Sequence, residues 1–262
     1  MSIIETIVLG LVQGLTEFIP ISSSGHLVIG QFLFGRESNH LFLEYINIGT
    51  FLALLVYFRA RIVAIIRDVF ANKNFRLARN ILLTAIPAGA VGYVLADFIG
   101  SAAFFGSLVV VMCTLFIVGV IMIVLEKLPK ATPVKNGEAL PARRALVIGL
   151  TQMFALIPGV SRSGSTIIAG RFMGLSAHEA AEYSFLASLP IMFGVTAKVL
   201  LDDSAYLADN LGGIVIGNGV AFVSGLLAVG FLMRYLSRHS LAVFGWYRVA
   251  LAGVLAVVLL VQ

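Results

Sequence analysis

The sequence predicts an all-α integral membrane protein, an inverted-topology repeat with six transmembrane helices and two re-entrant helical hairpins. Three observations carry that prediction: the composition, the lengths of the apolar stretches, and a short internal similarity at an offset of 139 residues, from Gly10 to Gly149. Of 262 residues, 60% are hydrophobic and only 12% charged, against roughly 25% charged in soluble domains. That balance excludes an ordinary cytosolic domain. The net charge of +5 does not indicate nucleic acid, because the basic residues sit in short loops between apolar stretches and form no continuous face or binding motif. Cys113 is the sole cysteine, so no internal disulfide exists. Residues 1–19 do not read as a cleavable leader, since Glu5, Gln13 and Glu17 interrupt them and no positive n-region precedes them.

Taken in chain order, the first apolar stretch runs over 3–33 and is broken by IPISSSGH at 19–26. Full spans of about 20 apolar residues follow at 41–58, 80–98 and 104–126. A second broken stretch, 145–174, carries IPGVSRSGS at 157–165, and spans at 182–200, 211–233 and 241–261 complete the chain. Each break implies a helix, a loop at membrane depth and a helix turning back. Irregular backbone is tolerated there only beside protein or a watery cavity, because unpaired N–H and C=O groups are costly in hydrocarbon.

Residues 1–262 form one membrane domain, with a first repeat over 1–126 and a second over 140–262. The offset aligns Gly10-Leu11 with Gly149-Leu150, Gln13 with Gln152, and Ser22-Ser23-Ser24-Gly25 with Ser161-Arg162-Ser163-Gly164. One hairpin plus three spans is an odd number of crossings, so the second half is expected upside down relative to the first. Charge placement agrees. Loops 59–79, 127–144 and 234–240 hold 13 of the 18 Lys and Arg residues and mark the cytoplasmic face, while Asp97, Asp202, Asp203 and Asp209 lie opposite. Both termini are then outside, and the hairpins approach each other from opposite faces with the site between them.

The chemistry-bearing residues gather at the two breaks. Gln13 and Glu17, four apart on one helix face, can hold a cation together. An intramembrane carboxylate is costly, so Glu17 either takes part in chemistry or pairs with Arg162 to join the hairpins. Gln13, like Gln152, can also simply patch broken backbone. Ser22, Ser23, Ser24 and Gly25 open a helix and form an anion cradle, although a serine-rich turn is also an ordinary N-cap. His26, one turn on, can serve as general acid, base or phosphoryl-accepting nucleophile, or bond a carbonyl. In the second loop, Arg162 lies among Ser161, Ser163, Gly164 and Thr166, and a guanidinium matches phosphate oxygens in bidentate geometry. Carboxylate, histidine, serines and arginine together are what phosphoryl transfer requires. Glu44, Glu182 and Tyr183 line a cavity or anchor at the interface, Arg248 reads as an interhelical partner, and Lys198 and Arg36 snorkel.

At these loops the sequence closely resembles the undecaprenyl-diphosphate phosphatase family of bacteria, the bacitracin-resistance type. The motifs are GLVQGLTEFIPISSSGHL (10–27), IPGVSRSGSTI (157–167), GLSAHEAAEYSFLASLP (174–190) and WYR (246–248). The resemblance implies hydrolysis of undecaprenyl diphosphate to the monophosphate and phosphate, with a divalent cation (Mg or Ca), at the outer side of the bacterial cytoplasmic membrane. It also implies lipid recycling for cell-wall synthesis and bacitracin tolerance. By that resemblance Gln13 and Glu17 form the metal motif, with Gln in place of a first carboxylate, Ser23 and His26 follow, and Arg162 is the family's arginine. Whether His26 or Ser23 is the nucleophile stays open at this point. The alternative is a polyprenyl-lipid transporter or flippase, since inverted repeats with broken helices are typical of transporters. Gly10 and Gly14 form a small-xxx-small face that suits packing within the chain or a homodimer.

Overall fold

The computed structural model describes residues 2–33 and 40–261. Arg36 and the side chain of Asp97 lie outside the described part. Among the described residues there is no strand. The first half contains α1 (Ile3–Phe18), α2 (Ser23–Leu33), α3 (His40–Tyr57), α4 (Arg59–Phe70), α5 (Arg76–Val94), α6 (Ala96–Ser101) and α7 (Leu108–Leu125). The second contains α8 (Ala142–Gln152), α9 (Arg162–Phe172), α10 (Ala177–Asp202), α11 (Ser204–Leu236) and α12 (Ala242–Val261), with a short 3₁₀ turn at Met153–Leu156. The chain is an all-α multi-pass membrane protein: α5, α7, α10, α11 and α12 are each long and apolar enough to cross, and α3 with α4 makes a bent sixth.

Local chemistry explains where the helices begin and end. Glu5 closes a capping box at the start of α1: the Ser2 amide donates to its carboxylate at 2.8 Å and its own amide donates to Ser2 Oγ at 3.2 Å. The α1 and α8 segments stop before Pro20 and Pro158, because a residue preceding proline is pushed out of the helical region. Accordingly Ile19 (φ −65°, ψ 131°) and Ile157 (φ −79°, ψ 126°) are extended. Each chain then turns through a serine with positive φ, Ser22 and Ser161 both at 76°. The two serines cap the returning helices, accepting from the Gly25 amide at 3.2 Å and the Gly164 amide at 3.0 Å.

Three segments depart from the sequence expectation. The basic stretch after α3 is not plain loop, since α4 bends 69° away from α3. Its Ile62 and Ile65 pack toward the core while Arg59 and Arg67 are exposed beside Val63, Ile66 and Phe70, a mixture of charged and apolar exposure suited to the membrane surface. The span expected to reach residue 98 breaks at Leu95 (φ −97°, ψ 8°) and resumes as α6. Finally, α11 begins seven residues before the expected 211, but a kink at Asn210 (φ −120°, ψ 17°) separates that leading piece.

Helices meet through small residues, as expected where lipid supplies no hydrophobic drive between them. On α1, a Cβ at Gly10 would stand 2.7 Å from the Gly217 carbonyl oxygen of α11, and one at Gly14 only 2.6 Å from that of Ala221. The small-xxx-small face of α1 is thus occupied inside the chain. Equivalent close approaches join Gly149 of α8 to α5, and Gly119 of α7 to Gly245 of α12. Through these contacts the tips of the two broken hairpins are brought together.

Candidate active site

Glu17 stands at the last turn of α1 and faces the opening of α9. Its Oε1 accepts from Arg162 Nη2 at 2.5 Å, across 145 positions of sequence. Oε2 accepts from Ser23 Oγ at 2.5 Å and from Gln13 Nε2 at 3.1 Å. The Glu17 carbonyl also accepts from Ser163 Oγ at 3.3 Å, so α9 is docked on α1 by main chain as well as side chain. Although mostly enclosed, Arg162 and Glu17 keep 22% and 11% of their side chains exposed. The pair therefore borders an accessible space.

Gln13 is buried and its amide is held from α3, donating to Asn47 Oδ1 at 2.5 Å and weakly to Thr50 Oγ1 at 3.5 Å. His26 lies across the first loop. Its Nδ1 is 2.7 Å from the Ser22 carbonyl, and Nε2 is 2.7 Å from Tyr247 Oη, with the rings stacked at a centroid distance of 5.7 Å. A carbonyl only accepts, so Nδ1 carries the hydrogen. In the neutral ring Nε2 then accepts from the Tyr247 hydroxyl. The imidazole lone pair is occupied, whereas Ser23 already directs its hydroxyl at a carboxylate.

The remaining candidate residues separate into two environments. Ser24 is exposed beside Ser23, its Oγ 3.2 Å from that of Ser22. Ser22, Gly25, Ser161 and Gly164 are buried and make the turns themselves. Ser163 is also buried, 3.1 Å from Ser161 Oγ. Thr166 is directed inward, donating to the Arg162 carbonyl at 2.8 Å and lying 2.5 Å from Ser184 Oγ. These residues shape the cradle more than they face its opening.

For the metal, no group of three or more His, Cys, Asp or Glu among the described residues could hold an ion. The Glu17 carboxylate, the Asn47 amide oxygen and the Thr50 hydroxyl gather around Gln13 Nε2, which donates to all three. All are hard donors, and Mg²⁺ commonly takes one or two carboxylates and completes its shell with water and substrate phosphate. A cation held there jointly with a phosphorylated ligand would take the place of that NH₂, with the Gln13 amide turned to present its oxygen.

Comparison with known proteins is decisive for the family. The family described as bacitracin resistance protein BacA matches residues 6–254. The chain belongs to the BacA family. Among relatives named undecaprenyl-diphosphatase, one from Myxococcus xanthus is 41% identical over 273 residues, covering 99% of this chain and 90% of the relative. Another, from Cereibacter sphaeroides, is 37% identical over 257 residues (97% and 96%), and one from Sphingopyxis alaskensis is 38% identical over 252 residues (94% of each). In this BacA-family chain, Asn47 and Thr50 join the site without having stood out in the sequence, and Tyr247, noted there only within the WYR motif, joins it through His26. A polar Asn-x-x-Thr step inside the apolar third segment was the available signal for the first two.

Proposed function

We propose that the protein is an undecaprenyl-diphosphate phosphatase, releasing inorganic phosphate and undecaprenyl phosphate at the outer face of the bacterial cytoplasmic membrane. This returns the lipid carrier to cell-wall synthesis and gives bacitracin tolerance. The family and its undecaprenyl-diphosphatase relatives support the activity. The observation that carries the mechanism is the chain Ser23–Glu17–Arg162, each link 2.5 Å long. Ser23 Oγ attacks the terminal phosphorus as its proton passes to Glu17. The bridging P–O bond breaks and the electron pair leaves with undecaprenyl phosphate. Water then cleaves the phosphoserine, releasing phosphate and restoring the Ser23 hydroxyl. Arg162 and the amide-rich openings of α2 and α9 neutralise charge on the transferred group. A divalent cation would be held by Glu17 and Asn47, with the Gln13 amide turned to present its oxygen, and would supply further charge neutralisation.

The two halves are read as inverted repeats. Equal φ at Ser22 and Ser161, the matched serine caps and the corresponding seats of Gly10 on α11 and Gly149 on α5 support that reading. The polyprenyl tail is assigned to an apolar cavity of about 560 Å³ lined by Val91, Leu95, Leu150, Phe154, Leu156 and Ile157 among others. Ile157 ends that wall one residue before the second loop begins.

The test is phosphate release from undecaprenyl diphosphate by purified protein in detergent, with and without EDTA, followed by mass spectrometry for phosphorylated Ser23. A phosphoserine trapped at position 23 and loss of turnover in Ser23→Ala are expected. Phosphorylated His26 would reassign the nucleophile, and lipid movement across vesicles with no phosphate release would replace the enzyme with a transporter.

A further inference from the structure

Arg248 lies in the second turn of α12, a helix belonging to neither broken hairpin, yet it reaches both. Its side chain is wholly buried, and among the described residues no carboxylate forms an ion pair with it. Instead Nε donates to the Pro20 carbonyl at 2.7 Å, Nη1 to the Gly159 carbonyl at 2.9 Å and Nη2 to the Val160 carbonyl at 3.0 Å. Pro20 and Gly159 are corresponding residues of the two breaks, each two positions before the serine that turns the chain at φ 76°. One planar fork therefore binds the same point of both loops. Non-glycine residues at positive φ cost on the order of 1–3 kcal/mol each and persist only where their surroundings over-determine them. Arg248 supplies that constraint from behind, and the adjacent Tyr247 fixes His26 from the same helix.

An uncompensated guanidinium is an expensive choice for a mere brace, since burying a charge without an opposite partner is strongly unfavourable. Beside the neutral sum of Glu17 and Arg162 it leaves the region positive, which suits a ligand bearing phosphate charge. We propose that Arg248 is a positioning residue for phosphoryl transfer: a single clamp that holds the two broken loops in register so that Ser23, Glu17 and Arg162 meet. The assignment rests on the phosphatase reading above.

Arg248→Lys tests it, because a lysine keeps the charge but its single ammonium cannot span three carbonyls on two loops. The full-length variant is purified in detergent and assayed with undecaprenyl diphosphate, and its thermal midpoint is measured with and without inorganic phosphate. Misregister of about 1 Å costs on the order of 100-fold. A fall in kcat of roughly 30- to 100-fold is thus expected, with KM little changed and the phosphate-induced rise in midpoint lost. A purely structural role would lower the midpoint yet leave kcat and the phosphate response of the folded fraction as in the wild type, and that result overturns the proposal. Should Arg248→Lys not fold, Arg248→Gln serves: it removes the buried charge, and its shorter amide cannot donate to both loops at once. A several-fold drop in kcat is expected there, and unchanged kcat counts against the clamp. Wild-type protein releasing no phosphate at all would instead refute the underlying activity.

Discussion

Replacing Glu17 by Gln keeps the shape of the side chain and removes its charge. In the native site the carboxylate accepts from Arg162 at 2.5 Å, Ser23 at 2.5 Å and Gln13 at 3.1 Å. A hydrogen bond to a charged group contributes about 1.5–3 kcal/mol against 0.5–1.5 for a neutral one, so the Arg162 link loses about 1 kcal/mol. Where the new amide turns its NH₂ toward Ser23 the bond reverses, the amide donating to Oγ, and the hydroxyl loses the acceptor for its proton. Loss of the base is the larger effect. General-base catalysis contributes roughly 10²- to 10⁴-fold, or about 2.7–5.4 kcal/mol at 1.36 kcal/mol per decade. The expected outcome is a kcat at least about 100-fold below wild type, read as phosphate release from undecaprenyl diphosphate by detergent-purified protein. Thermal midpoints of both proteins confirm that the loss is not unfolding. A well-folded Glu17→Gln enzyme keeping more than about a tenth of wild-type kcat refutes the assignment of Glu17 as base, since no general-base role is that small.

Two further perturbations probe other parts of the molecule. Leu150→Trp should crowd the apolar cavity and raise KM for the long polyprenyl substrate by roughly three- to tenfold, with a 15-carbon prenyl diphosphate unaffected; the effect is modest because lipid is as apolar as the cavity. Equal KM changes for both chain lengths would remove the cavity from tail binding. Glu126 lies one residue beyond α7 and accepts from Arg171 at 3.0 Å and Lys130 at 3.3 Å. Burial alone would raise its carboxyl, but Arg171 and Lys130 outweigh that and hold it below its ordinary 4.5. A lowered folded-state value adds stability above 4.5 that is lost as pH falls through the lowered value. Glu126→Gln should therefore depress the thermal midpoint at pH 7, with the deficit from wild type vanishing in acid below 4.5, and a deficit that does not change with pH would show the ion pair to be inert.

Much of the architecture was legible because the bilayer is a demanding solvent. Pro20 and Pro158 each force the preceding isoleucine out of helix, so both breaks could be placed from sequence to within a residue or two. Glu17 and Arg162 stood out because isolated charges at membrane depth need a reason, and each turns out to be the other's partner. Uncharged polar residues gave no such signal. Asn47 reaches the site, but Asn218 accepts from the Gly49 amide and Thr84 donates to the Ala145 carbonyl as packing devices, and their surroundings in the chain look alike. Tyr247 was hidden by distance, since its hydroxyl meets a histidine 221 residues earlier. The helix α4 escaped because its arginines dominate the charge of a segment whose isoleucines repeat at helical spacing.

The seat of α1 on α11 has a consequence for how the enzyme can move. Where Gly10 and Gly14 meet the Gly217 and Ala221 carbonyls, main chain comes close to main chain, and the side chains beside them are the β-branched Val220 and a Ser224 hydroxyl already donating to the Val220 carbonyl, so little is free to absorb a displacement. The helix that carries Gln13 and Glu17 is consequently fixed to its neighbour with almost no compliance. Rocking of the first hairpin, the motion that moving a lipid from one leaflet to the other would demand, would have to peel this seam apart. Turnover in place asks nothing of it.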